Sequence, residues 1–163
     1  MKKFLAILMM VALLAAVVPA ALAAEAVGNS STTVYRVKTN GSRLYVHDEP
    51  NDEVYSRIGS LPNGTAFKKL KTSGSWIKIQ TFTGIKGWVF KKWTAQNAYA
   101  KVTTKYQGLN VRKGPGTGYA IKGSIPKGTK KVTVKKISGN WAYVKYGCLE
   151  GWSSRTYLKW VTT

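Results

Sequence analysis

The sequence predicts an all-β protein organised as two tandem copies of one small unit. Three observations support this. Short runs rich in Val, Ile, Thr, Tyr and Trp recur every 8 to 12 residues between Gly, Asn and Ser turns, the spacing of a small barrel or sandwich. The chain also repeats itself at an offset of about 65 residues, so that Leu44-Tyr45-Val46-His47 is answered by Leu109-Asn110-Val111-Arg112, and Gly59-Ser60-Leu61-Pro62-Asn63-Gly64-Thr65 by Gly123-Ser124-Ile125-Pro126-Lys127-Gly128-Thr129. Beyond the first 23 residues no stretch shows helical periodicity.

Taken in order, Met1-Lys2-Lys3 is a basic start, Phe4 to Val18 carries no charge, Pro19 ends the run, and Ala21-Leu22-Ala23 is a small-x-small cleavage site. Residues 1–23 are expected to be a secretory signal peptide cleaved after Ala23, leaving no membrane span in the mature form. The alternative is an uncleaved anchor. Residues 24–33 are small and polar and read as a flexible leader. Domain 1 is placed at 34–94, a short linker at 95–99 and domain 2 at 100–163.

Within each copy the expected strands are Tyr35–Lys38 or Lys101–Thr104, Leu44–Val46 or Leu109–Val111, then after a long loop Ala66–Lys71 or Lys131–Lys136, Trp76–Thr81 or Trp141–Tyr146, and a closing Gly-Trp strand at Gly87-Trp88 or Gly151-Trp152. Alternation of Leu109 and Val111 with Asn110 and Arg112 gives one buried and one wet face, and Gly114-Pro115-Gly116 stops the strand. The Gly59 and Gly123 segments read as turns.

Removing Lys2 and Lys3 leaves 24 Lys and Arg against 6 Asp and Glu, a net charge of +18 that favours anionic surroundings. From Tyr35 to Asn97 there are 11 basic and 4 acidic residues, whereas from Ala98 onward there are 13 basic and only Glu150, so the second copy reads as the cationic one. The single cysteine, Cys148, rules out an internal disulfide. At roughly 60 residues each copy is small enough to be marginal alone, so the two are expected to lean on each other.

The stretch Leu109-Asn110-Val111-Arg112-Lys113-Gly114-Pro115-Gly116-Thr117-Gly118-Tyr119, the following Gly-x-Ile/Leu-x-x-Gly, the mid-domain Gly-x-Trp at Trp76 and Trp141, and the closing Gly-Trp with Tyr157-Leu158 resemble the bacterial Src-homology-3 (SH3) domain family. The second copy matches almost position for position. In the first, His47-Asp48-Glu49 replaces the R-x-G step and Trp93 stands where the second has Tyr157. The resemblance implies small SH3-like β-barrels and a ligand groove between the long loop with Tyr55 or Tyr119, the turn tryptophan (Trp76 or Trp141) and the late aromatic (Trp93 or Tyr157).

Alternation in Trp76-Ile77-Lys78-Ile79-Gln80 puts Ile77 and Ile79 on the core face and Trp76 opposite; likewise Ala142 and Val144 face in while Trp141, Tyr143 and Lys145 face out. Such aromatics either cover a rim or bind extended peptides or sugars. Arg112, Lys113, Lys122, Lys127 and Lys145 are the candidate electrostatic contacts. Trp88 and Trp152 read as barrel packing.

Catalytic constellations are lacking. His47 is the only histidine and is expected to face solvent from a strand end; Cys148 is expected to be a small, partly buried hydrophobe in a turn; the two lie in different copies. Asp48, Glu49, Asp52 and Glu53 form one loop cluster without glycosidase or calcium-loop spacing and read as a solvated loop. No enzyme activity, cofactor or metal is expected.

By resemblance, the chain is expected to be secreted and wall-associated, binding peptidoglycan peptides without a catalytic domain of its own, and to work beside a separate wall hydrolase. Adhesion to anionic polymers such as teichoic acid, lipopolysaccharide or nucleic acid is the alternative, with no specific nucleic acid expected. An adaptor that binds a folded protein is a further one.

Overall fold

The computed structural model describes residues 30–162; the stretch expected to be a signal peptide and the first six residues of the expected leader lie outside them. The first copy contains β1 (Thr32–Val37), β2 (Leu44–His47), β3 (Arg57–Leu61), β4 (Ala66–Ser73), β5 (Trp76–Thr81), β6 (Lys86–Phe90) and β7 (Thr94–Gln96). The second contains β8 (Ala98–Val102), β9 (Leu109–Arg112), β10 (Ile121–Ile125), β11 (Val132–Ser138), β12 (Trp141–Tyr146), β13 (Leu149–Ser154) and β14 (Leu158–Trp160). All pairings are antiparallel. The ladders β7-β1-β4-β5-β6-β2-β3 and β14-β8-β11-β12-β13-β9-β10 are the same ladder built twice, which is the tandem SH3-like architecture.

Local chemistry explains the shared turns. Before β4 and β11 the chain reverses at Pro62-Asn63-Gly64 and Pro126-Lys127-Gly128, where Gly64 and Gly128 sit at φ +81° and +76°, a region that Cβ-bearing residues avoid. The next residue closes each turn: Thr65 and Thr129 donate their hydroxyls to the proline carbonyls at 2.7 Å. The glycine before Trp88 or Trp152 is set by close approach. A Cβ on Gly87 would lie 2.4 Å from Val46 Cγ1, and one on Gly151 would lie 2.5 Å from the Arg112 carbonyl oxygen.

Several boundaries differ from the sequence reading. Gly59-Ser60-Leu61 and Gly123-Ser124-Ile125 belong to strands β3 and β10, not turns; these edge strands bury only Leu61 and Ile125 fully, so they show no alternation. The 95–99 linker shrinks to Asn97, at φ +64°, because β7 ends at Gln96 and β8 begins at Ala98. Thr32 and Thr33, assigned to the leader, are already in β1. There they pair with Ile137 and Lys136 of the second copy.

That pairing makes β1 serve two cores. Val37 is fully buried with Leu44, Val46, Leu61, Phe67, Ile77, Ile79 and Val89 in the first copy. Val34, also fully buried, belongs with Ala66 to the core of the second copy, beside Val111, Val132 and Val144. Successive side chains on a strand face opposite ways, so the odd spacing of Val34 and Val37 sends one to each core. Phe82 stacks on Trp160 across the seam with centroids 4.9 Å apart and planes at 18°. The copies do lean on each other, and each valine-sized side chain buried there contributes about 1.5–3 kcal/mol.

Candidate functional site

Each copy carries one open groove in the same place. It lies between the loop after the first strand, the second strand, the start of the fifth strand and the turn that follows the sixth. In the first copy it measures about 480 Å³ and includes Arg43, Tyr45, His47, Asp52, Trp76, Phe90 and Trp93. In the second it measures about 930 Å³ and includes Tyr106, Asn110, Arg112, Thr117, Trp141 and Tyr157.

The size difference has a local cause. Trp76 stands opposite Phe90 across the β5–β6 hairpin, with ring centroids 4.2 Å apart, and its other side meets His47 edge-on at 4.9 Å. In the second copy Trp141 stands opposite Ser154. A hydroxymethyl cannot fill the volume of a phenyl ring, so the groove widens and the indole is only partly buried. Trp76, expected on an exposed face, is on that face but only 8% exposed.

His47 corrects the sequence reading: it is buried, not solvent-facing. Its Nδ1 lies 2.8 Å from Ser56 Oγ, and that hydroxyl donates to the Glu53 carbonyl at 2.8 Å. Since the hydroxyl has one proton and spends it on Glu53, Nδ1 must be the protonated nitrogen of His47 and donate to Ser56. The pair therefore clips the long loop and is not arranged as nucleophile and base. Burial lowers the His47 pKa below 6.5; Asp52 works against this, Arg57 adds to it, and Asp48 opposes it. Arg112 clips the second copy's long loop by other means, donating from Nη1 to the Thr117 and Tyr119 carbonyls at 2.9 and 2.8 Å.

Of the predicted ligand-binding residues, the structure brings Trp76 to Trp93 in one groove and Trp141 to Tyr157 in the other. Tyr55 and Tyr119 lie outside them. Tyr55 is 95% exposed on the long loop. Tyr119 lies so close over Gly114 that a Cβ there would approach its ring to 2.4 Å, which makes it a prop of the loop. Tyr143 is on the sheet's outer face, edge-on to Trp152 at 5.3 Å.

Among the electrostatic candidates only Arg112 reaches a groove. Lys122 Nζ donates to the Glu150 carbonyl and Lys127 Nζ to the Lys105 carbonyl, while Lys113 and Lys145 are exposed. Glu150 pairs with Lys135 at 2.5 Å, and this hydrogen bond, foremost, holds its pKa below the usual carboxylate range. Cys148 is exposed at the β12–β13 turn instead of partly buried, because the turn at Gly147 lifts it off the sheet. Among the described residues no group of three or more His, Cys, Asp or Glu could hold a metal ion, and no helix is long and apolar enough to cross a membrane.

Sequence reasoning missed Phe90, Tyr45 and Asn110 as groove residues. Phe90 was within reach, since the hairpin register places it opposite Trp76.

A family model described as bacterial SH3 domain matches residues 31–95 and 107–159. The chain is 31% identical over 113 residues to a Bacillus subtilis (strain 168) protein assigned by name as an N-acetylmuramoyl-L-alanine amidase, YrvJ; the match takes in 64% of this chain but only 22% of that protein. Among solved structures it is similar to NlpC2 from Trichomonas vaginalis, at 15% identity and a TM-score of 0.44 over 82% of this chain and 49% of that one. It is also similar to an autolysin from Listeria monocytogenes, at 17% identity and a TM-score of 0.31 over 81% of this chain and 63% of that one.

Proposed function

The chain belongs to the bacterial SH3 domain family, and on that footing we propose that it is a secreted, non-catalytic module that attaches to the bacterial cell wall by holding peptidoglycan peptides in its two aromatic grooves. The observation that carries this reading is the recurrence, at one place in both copies, of an indole and a second aromatic beside an open groove: Trp76 with Trp93, and Trp141 with Tyr157. Flat rings with polar edges hold an extended chain at low entropic cost. Polar groups beside them, Asn40 and Thr39 in one groove and Asn110 and Gln107 in the other, can pair with peptide amides.

Charge separates the two grooves. The first sets Asp52 among Arg43 and Lys92 and suits a peptide with both an ammonium and a carboxylate; the second offers Lys105 and Arg112 without an acid and suits a carboxylate. A relative named as an N-acetylmuramoyl-L-alanine amidase carries a segment matching this chain, and that likeness supports a wall setting and a separate hydrolase as partner. The reading of the chain as non-catalytic is supported by the tautomer of His47, which points its proton at Ser56. The experiment is co-sedimentation with purified peptidoglycan stripped of anionic polymers: binding is expected, with no release of soluble fragments.

A further inference from the structure

We propose that the outer face of strands β4, β5 and β6 in the first copy, past the Trp76–Phe90 end that walls the groove, is a second binding surface for a linear phosphodiester polymer that carries no aromatic bases. Register defines the surface. Lys71 stands directly opposite Lys78, and Lys78 opposite Trp88; one step away Lys68 stands opposite Gln80, and Gln80 opposite Lys86. The bulge between Lys69 and Lys71 keeps Lys71 on the outer face with Lys68. Adjacent strands lie about 4.8 Å apart, so the four ammonium groups share one small patch.

Nothing within the described residues neutralises it. The only ion pair there is Lys135 with Glu150, and Lys68, Lys71 and Lys86 have no side-chain partner. The loop acids Asp48 and Glu49, which leave β2 beside β6, form no ion pair with Lys86. Lys78 has only the Trp88 ring, 5.7 Å below its Nζ. Like charges directly opposite on a sheet repel, and an anion between them would relieve that repulsion.

The second copy shows the contrast at equivalent positions. There the rows read Lys136, Tyr143, Trp152 and Thr133, Lys145, Glu150, so a tyrosine replaces one lysine, a threonine another, and an acid a third. Much of that copy's positive charge is already engaged: Lys135 by Glu150, Lys136 by the rings of Tyr143 and Trp152, Lys131 by Tyr99, and Arg112 and Arg155 by backbone carbonyls. Net charge per copy thus points to the second, whereas the bare cationic face belongs to the first.

The residue types select the ligand. The face has four lysines and no arginine; ammonium groups act as point charges that tolerate phosphates at variable spacing along a flexible chain, whereas a planar fork would favour fixed bidentate contacts to a single carboxylate or phosphate. Trp88 is 7% exposed under Lys78 and offers no platform for base stacking, which disfavours single-stranded nucleic acid. A polyol-phosphate chain, the chemistry of teichoic acid, fits both features.

The test uses the full chain, poly(glycerol phosphate) and single-stranded DNA matched in phosphate content, over a salt series. One variant carries K68Q, K71Q, K78Q and K86Q. A control with the same charge change carries K101Q, K113Q, K130Q and K159Q. Four lost phosphate contacts should reduce the slope of log affinity against log salt by roughly 3 in the first variant, at about 0.7 per contact, and by less than half that in the control. Lysine acetylation of the wild type, with and without polymer, should show Lys71 and Lys78 protected, and it decides the matter if the first variant fails to fold. Equal losses in both variants, no protection of Lys71 and Lys78, or tighter binding of DNA than of the polymer would overturn the proposal. Because peptidoglycan free of anionic polymers is absent from these arms, failure here leaves the groove reading standing.

Discussion

His47 and Arg112 occupy the same place in the two copies and do the same work by different chemistry. Each stands opposite a tryptophan of the closing strand, Trp88 for His47 and Trp152 for Arg112, and each fastens the long loop of its own copy. One clip is a neutral imidazole held by a buried hydroxyl; the other is a permanent cation on two carbonyls. Only the first responds to pH.

Burial, opposed in part by Asp52 and Asp48, keeps the pKa of His47 below 6.5 in the folded chain. The unfolded chain therefore binds this proton more readily. Stability contributed by neutral His47 is fully present above pH 6.5 and declines as pH falls from 6.5 through the lowered value. Thermal melts between about pH 7.5 and 5 should show the wild type losing more stability than His47→Gln, which removes the titrating group. Parallel pH profiles would contradict this.

Arg112→Ala should free the loop that carries Thr117 and Tyr119 while costing only about 1 kcal/mol, since the guanidinium is partly exposed and water replaces part of what is lost. Hydrogen exchange should rise across residues 113–119 and stay unchanged across the first copy's long loop.

Val34 lies in the first copy's first strand but packs in the second copy's core. Val34→Ala deletes two buried methyl groups, worth about 2 kcal/mol with the cavity included. The loss should appear as faster exchange in β8, β11 and β12 more than in β5 and β6. An effect confined to the first copy would mean that the seam carries no load.

Gly151→Ala should destabilise by about 1–3 kcal/mol, because its Cβ would meet the Arg112 carbonyl oxygen at 2.5 Å and backbone does not yield easily. Urea melts of this variant and of Gly147→Ala separate close approach from backbone conformation: nothing lies within 4 Å of a Cβ at Gly147, where φ is +56°.

Trp76–Thr81 and Trp141–Tyr146 are strands with the bounds the sequence implies, because tight turns flank them and their apolar residues alternate cleanly. The edge strands β3 and β10 were not legible, since Gly59 and Gly123 interrupt any alternation and partner strands supply the order. The burial of His47 was hidden for a similar reason. Acids surround it in sequence, but the cover comes from Ser56 and Trp76, brought over by the loop and the next hairpin. Trp93 and Tyr157 reach the grooves because short 3-10 turns, Lys91–Trp93 and Arg155–Tyr157, present them. Tyr55 and Tyr119 shared their loop with the groove wall but not its surface, a distinction that depends on loop conformation.

If the aromatic grooves hold wall peptides, stripping both should release the chain, and the most direct measurement is co-sedimentation of a Trp93→Ala, Trp141→Ala, Tyr157→Ala variant with polymer-free peptidoglycan at high salt, with circular dichroism as the folding control. Charge contacts are screened there and short-range ring contacts are not. Loss of a ring anchor costs about 2 kcal/mol, roughly 30-fold in affinity, so the variant should fold and bind at least that much more weakly than the wild type. A folded variant that sediments with the wall as the wild type does would contradict the claim.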